Sequence, residues 1–335
     1  GEVLDASGQL ATDFTGIVNP TVKDSKMTVT CLNNNNQDDT PAFTFTDYPN
    51  TIFIGNDSVR NGKFSFTFTV PKDISYSNLQ GKMNLYAVDT ENGHEAQGNF
   101  DNFIVGGTSD TAETDTIGPE IRALYLNDTT FVDGGQVNTT PYFVAELWDK
   151  SGVNITGSSV GHDMMLVIDE STVLSYNLNS YYELLPGEEG TGIVKFPIPA
   201  LEPGKHTAEF WVWDILNNST VRTFTFEVVE GLKPFLFDVI ATPGIAREQV
   251  TFHLMHNRPE SRMRVGIMVY DLAGRQLWKH EESGTSGLFE NYTVSWDLTC
   301  GGARMRPGVY IYRAAISTDN SKDATKARKF IILGE

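Results

Sequence analysis

Two cysteines, Cys31 and Cys300, and six histidines are the residues best suited to covalent chemistry in this 335-residue chain. A cysteine nucleophile acts as its thiolate and needs a base or cation beside it. No local motif places His94, His162, His206, His253, His256 or His280 next to either thiol. Cys31 therefore reads as the end of a strand-like run at 27–30, and Cys300 as part of a turn at 297–302. Gly157-Ser-Ser-Val-Gly161 superficially resembles a Gly-x-Ser-x-Gly elbow, but it lies in a turn-rich loop between strands and is rejected. Hard oxygen ligands gather at 33–39 without the spacing and glycine of a calcium loop, so a solvated hairpin loop is expected there. Asp149, His162, Asp163 and Asp214, with Asn217 and Asn218, lie at the ends of strand-like runs and could converge at one end of a sandwich. An imidazole so far from any other in the sequence is more often a hydrogen-bonded structural residue than a ligand, so neither a metal nor another cofactor is expected. Glu188-Glu189 and Glu281-Glu282 are paired carboxylates, but neighbours on a strand point to opposite faces, and both pairs read as solvated charge. No catalytic residue is assigned.

The elements that must position these groups are strands. Phe64, Phe66, Phe68 and Val70 alternate with Ser65, Thr67 and Thr69, and Asn61-Gly62 before them signals a tight turn, so 64–70 is expected to be a half-buried strand. Similar alternation recurs at 43–46, 83–88, 143–148, 164–168, 208–213, 223–229, 265–270, 292–296, 309–316 and 329–333. No segment holds helical apolar spacing for three turns. The expected class is all-β, three consecutive Ig-like β-sandwich domains. The small acidic stretch 106–119 and the break at 230–234 divide them into residues 1–112, 113–232 and 233–335. Alternating Phe64, Phe66 and Phe68, and likewise Trp211 and Trp213, are expected to fill cores in preference to forming an exposed sugar platform.

Charge supports the same division. The formal net charge is −18, made of +3 over 233–335 and −21 over the residues before it. So acidic a chain lacks the basic face that nucleic acid requires. No apolar run approaches the length of a membrane span, and neither a signal peptide nor an anchor is expected. The polar start after Gly1 suggests an internal or C-terminal piece of a longer protein. Two cysteines far apart in sequence exclude a disulfide framework.

Residues 233–335 carry a more specific signal. Ala241-Thr-Pro243, Val250-Thr-Phe252, the run 269–275 with Asp271, Gly274 and Arg275, then Trp278, Trp296-Asp297, the run 308–312 with Gly308 and Tyr310, and the basic-apolar ending 326–333 with Lys326 and Lys329 occur in order. Together they resemble the C-terminal sorting domain of type IX secretion cargo, a family of surface and secreted proteins of Bacteroidota. Gly244 and Leu298-Thr-Cys300 depart from that pattern. Upstream, Asp115-Thr-Ile-Gly-Pro-Glu120, Gly161-His-Asp163, the run 198–206 and Trp213-Asp-Ile-Leu-Asn-Asn-Ser219 resemble the C-terminal portion of the gingipain-related sortases of the same system, and Val70-Pro-Lys-Asp-Ile74 and 84–89 fit too. The resemblance implies a cell-surface cysteine endopeptidase and transpeptidase whose catalytic Cys and His lie upstream, in a domain this chain does not contain. It implies a non-catalytic tail serving secretion targeting and docking. The implied partners are the secretion machinery and the PorV-like outer-membrane barrel of the attachment complex, with anionic lipopolysaccharide as a further candidate. Arg304, Arg306, Lys326, Arg328 and Lys329 could steer such docking. The alternative from another class is a surface adhesin or glycan-binding module carrying the same secretion signal.

Overall fold

The computed structural model describes residues 1–32, 41–109, 115–157, 161–185, 190–318 and 320–334. The loop at 33–39, the serines of 157–161, Glu188-Glu189 and the middle of the acidic stretch 106–119 fall wholly or partly outside the described residues.

Among the described residues, every regular element but one is a strand. The first are β1 (Gly16–Lys23), β2 (Met27–Thr30), β3 (Thr44–Asp47), β4 (Thr51–Ile54) and β5 (Asp57–Val59). They are followed by β6 (Leu79–Gln80), β7 (Lys82–Asp89), β8 (Glu95–Phe100) and β9 (Ile104–Val105). Next come β10 (Glu120–Leu126), β11 (Gln136–Val137), β12 (Tyr142–Trp148), β13 (Met165–Ile168) and β14 (Ser175–Asn177). A single 3-10 turn, Asn179–Tyr181, precedes β15 (Tyr182–Leu184), β16 (Thr191–Pro197), β17 (Gly204–Trp213) and β18 (Ser219–Val228). The last hundred residues hold β19 (Leu236–Thr242), β20 (Ile245–Ala246), β21 (Val250–His256), β22 (Met263–Tyr270) and β23 (Gln276–Gly284). They end with β24 (Tyr292–Trp296), β25 (Thr299–Cys300), β26 (Ala303–Arg304), β27 (Gly308–Ser317) and β28 (Ala324–Ile332). The protein is all-β, as its alternating sequence demands.

The chain divides into two compact units. One holds residues 1–124, 144–195 and 207–224; the other holds 125–143, 196–206 and 225–335. Within the first, β4-β1-β7-β8 form an antiparallel sheet with β5 also on β1, while β2-β3 and β6-β9 are separate ribbons. That sheet buries Val18, Val59 and Ala87 in one cluster and Val22 with Ile52 in a second. Two further sheets run β10-β12-β16-β15 and β11-β18-β17-β13-β14. In the second unit β19-β21-β24 and β20-β28-β27-β22-β23 close on one core, in which Phe252 lies 4.9 Å from Tyr312 and 6.1 Å from Phe330, ring to ring. Fully burying one such aromatic contributes roughly 2–3 kcal/mol.

Two expectations are corrected. Residues 64–70 form no strand. Burial does alternate there, with Phe66 and Phe68 stacked on Phe53 at 5.9 and 4.8 Å, but the segment has packing partners and no ladder partner beyond the pairing of Phe64 with Gly1. Trp211 and Trp213 are not core residues either. The buried face of β17 is Ala208, Phe210 and Val212, which puts both tryptophans on the opposite side, with Trp211 exposed and its Nε1 donating to Glu209 at 3.3 Å. The turn at Asn61-Gly62 forms as expected: both residues have positive φ, +52° and +72°, between the reciprocally bonded Arg60 and Lys63.

Candidate functional site

Three aspartates meet where strands end. Asp149 follows β12, Asp214 follows β17 and Asp115 precedes β10, and their carboxylate oxygens lie within 4.8 Å of one another. Each first serves its own loop. Asp149 Oδ1 accepts the N–H groups of Ser151 at 2.7 Å and Gly152 at 2.9 Å. Asp214 Oδ1 accepts those of Leu216 at 2.9 Å and Asn218 at 2.7 Å, and its Oδ2 accepts Asn218 Nδ2 at 2.6 Å. Asp115 accepts Ile117 N–H at 3.0 Å and the Ser151 hydroxyl at 2.9 Å. An aspartate after a strand turns the chain this way because its short carboxylate reaches backbone donors two residues on.

Environment then separates the three. Burial pushes the Asp149 carboxyl up to about 6; the Gly152 and Ser151 N–H groups oppose this, while Asp214 and Asp115 add to it. Asp115 is held below the usual carboxylate range, chiefly by the Ile117 N–H and the Ser151 hydroxyl. Burial raises the Tyr182 hydroxyl, and the Asp149 charge reinforces it. Chemically, such a group can retain a proton on Asp149 up to about pH 6, or offer three hard oxygens to a cation.

His162 is not part of this group. Its Nδ1 lies 2.7 Å from Asp73 Oδ2, and its ring packs 4.4 Å from the Trp213 ring. Asp73 also accepts Asn154 Nδ2 at 3.1 Å and Asn217 Nδ2 at 3.0 Å. Beside it, Lys72 N–H donates to Ile215 O at 2.9 Å and Lys72 Nζ to Leu216 O at 2.8 Å. The expected convergence is thus split. Asp149 and Asp214 come together with Asp115, whose surrounding stretch 106–119 has the composition of a linker. His162 pairs with Asp73, and Asp163 accepts Asn179 Nδ2 at 2.7 Å.

The residues of the sorting-domain pattern mostly build turns and core. Asp271 accepts the N–H of Ala273 at 3.0 Å and of Arg275 at 2.9 Å, plus Arg275 Nε at 3.1 Å, and Gly274 has φ +82°. Trp296 is buried, stacks on Trp278 at 4.4 Å and donates Nε1 to Thr299 O at 2.8 Å; Asp297 accepts Thr299 N–H and Oγ1. Gly308 opens β27, and Tyr310 donates its hydroxyl to Arg306 O at 2.7 Å. Of the cations, Lys326 binds Phe237 O, Arg304 binds Arg247 O and Arg328 pairs with Asp238 at 2.6 Å, while Lys329 and Arg306 are exposed. Cys300 donates its thiol to Leu277 O at 2.8 Å, and Cys31 is exposed.

No family profile and no curated protein matches the chain. Among solved structures it is similar to dimeric latent PorU from Porphyromonas gingivalis, at 37% identity and a TM-score of 0.40, over 100% of this chain and 31% of that one. The chain therefore spans under a third of that protein's length. Matches at lower identity include the Ig1-2 module of the Drosophila receptor tyrosine phosphatase DLAR (10%, TM-score 0.25, 65% of this chain and 98% of that one). Another is SGBP-B of the Bacteroides ovatus mixed-linkage glucan utilisation locus in complex with a mixed-linkage heptasaccharide (9%, TM-score 0.28, 96% of this chain and 61% of that one). No helix among the described residues is long and apolar enough to cross a membrane.

Proposed function

We propose that this chain is the non-catalytic C-terminal segment of a PorU-like sortase, carried to the cell surface by type IX secretion and held there at the outer membrane. The 37% identity to PorU across the whole chain carries this reading. In it, residues 1–112, 113–232 and 233–335 are three modules, and the last is the secretion address. The cysteine-peptidase chemistry belongs to the remainder of the parent protein, since the described residues hold no alternating strand-helix frame of the kind that houses a caspase-like site. Docking to the PorV-like barrel and the secretion machinery, with anionic lipopolysaccharide as a further ligand, follows from the same reading. Exposed Arg306 and Lys329 on the otherwise more basic last module fit an acidic partner.

The test is transplantation. Residues 233–335 fused to a periplasmic reporter, in a host with a working type IX system, should bring the reporter to the surface. A reporter that folds but stays periplasmic refutes the address.

A further inference from the structure

The solvent face of the first sheet carries an ordered array that the secretion reading does not use. In β1, β7 and β8 the register pairs Asn19 with Tyr86 and Tyr86 with Gln97, and, one step along, Thr21 with Asn84 and Asn84 with Asn99. Side chains two apart on a strand share a face. These six therefore form two rows across three strands, opposite the face that buries Val18, Val22 and Ala87. They line a shallow trough of about 570 Å³. That lies within the size range of small-molecule sites.

The composition of the array is unlike ordinary sheet surface. One residue in five of this chain is charged, yet neither row holds a charge. Three of the six are asparagine, a residue disfavoured in strands. The charged neighbours on the same face are held to other groups: Lys23 Nζ donates to Thr51 Oγ1 at 2.7 Å, Lys82 lies over the Tyr48 ring, and Glu95 hydrogen-bonds with the Tyr86 hydroxyl. That last contact steadies the exposed Tyr86 ring in the middle of the trough. β8 ends the sheet, so backbone groups along its outer edge are unpaired in this ladder.

Each amide offers a donor and an acceptor side by side, the complement of neighbouring hydroxyls on a sugar ring. A tyrosine ring offers a flat apolar surface for the ring's C–H face together with a polar tip. The uncharged rows give no grip on phosphate, sulfate or carboxylate, which cationic side chains recognise. The trough is too open to enclose an apolar ligand. We infer that the face formed by Asn19, Thr21, Asn84, Tyr86, Gln97 and Asn99 is a binding site for a neutral oligosaccharide. With strands about 4.8 Å apart, the array spans about two or three sugar rings. This site is independent of the secretion address and stands or falls separately from it.

The experiment applies the full chain to an array of immobilised neutral hexose oligosaccharides beside sulfated and uronic-acid oligosaccharides, then measures solution affinity for any neutral sugar retained. Neutral sugars should be retained, and Tyr86→Ala and Gln97→Ala should each weaken binding at least tenfold. Both side chains lie on the solvent face, so both variants should stay folded, with a small loss of melting temperature for Tyr86→Ala and none for Gln97→Ala, and Phe43→Ala, outside the trough, should leave binding intact. Retention of acidic sugars alone, retention of none, or neutral binding that survives both trough substitutions overturns the assignment.

Discussion

His162 Nδ1 lies 2.7 Å from Asp73 Oδ2, and this contact joins segments that are 89 residues apart in the chain. Asp73 is buried, and it gathers Asn154, Asn217 and His162 at a single carboxylate. Together with the bonds from Lys72 to Ile215 and Leu216, and from Asn56 Nδ2 to Leu184 O at 3.0 Å, it fastens residues 56 and 72–73 to the end of β15, to the segment between β12 and β13 and to the loop after β17.

Asp73→Ala should therefore act on more than its own loop. Three buried or half-buried donors would lose their acceptor, at a cost of about 2–4 kcal/mol. Urea unfolding should show that loss, and limited proteolysis should cut faster in residues 70–77. A variant of wild-type stability would mean that water replaces the carboxylate without penalty.

Asp149 sets a pH dependence of known sign. Its carboxyl is raised from 3.8 to about 6, so the folded protein keeps a proton that the unfolded chain has released. Stability from this group is greatest below about pH 4, falls as pH rises to about 6, and stays lower above that, by on the order of 1–2 kcal/mol. Asp149→Asn keeps the acceptor for the Ser151 and Gly152 N–H groups and removes the charge. It should be at least as stable as wild type at pH 7 and should lack this slope; an unchanged slope in denaturant midpoints would place the proton elsewhere.

His256 works in the opposite direction. Burial first, and Arg258 second, lower it from 6.5 to about 4. Its Nδ1 accepts the Arg258 N–H at 3.1 Å, which leaves Nε2 to donate to Ser286 Oγ at 2.8 Å, so the ring is a neutral strut and does not serve as a base for that serine. Its contribution is complete above about pH 6.5 and drains away as pH falls towards 4, by on the order of 2 kcal/mol. His256→Gln should flatten that part of the unfolding curve between pH 6.5 and 4, and an unaltered acid limb would rule His256 out as its origin.

What the sequence makes legible is local. Asn61-Gly62 specifies its own turn, and a run such as β27 specifies a strand because one face of it is apolar throughout. Residues 64–70 show the limit, since alternation encodes which side chains go in but not whether a neighbouring backbone is there to bond. The site residues divide on the same line. Asp149 and Asp214 are visible as strand-end aspartates, whereas Asp115 lies in a stretch with linker composition and gains its role from Ser151 and Asn218, brought to it by tertiary structure. The amide trough is equally hidden, because Asn19, Tyr86 and Gln97 share a row only through strand register.

The last module allows address and fold to be separated. β28 has β20 on one side and β27 on the other, and it buries Ala324, Phe330 and Ile332. Deleting residues after Ser321 would thus open the core as well as remove the basic ending, and loss of surface display would not show which mattered. Point changes do. Phe330→Ala leaves a cavity among Phe252, Trp296, Tyr310 and Tyr312 and should cost about 3–5 kcal/mol. Arg306→Glu with Lys329→Glu changes only exposed charge and should move the melting temperature little. If the basic surface is what the secretion partner reads, the double charge reversal should retain the parent protein in the periplasm at wild-type stability, scored by surface labelling of intact cells. Normal display of the charge-reversed protein, alongside failure of Phe330→Ala, would instead assign recognition to the folded sandwich and its strand edges.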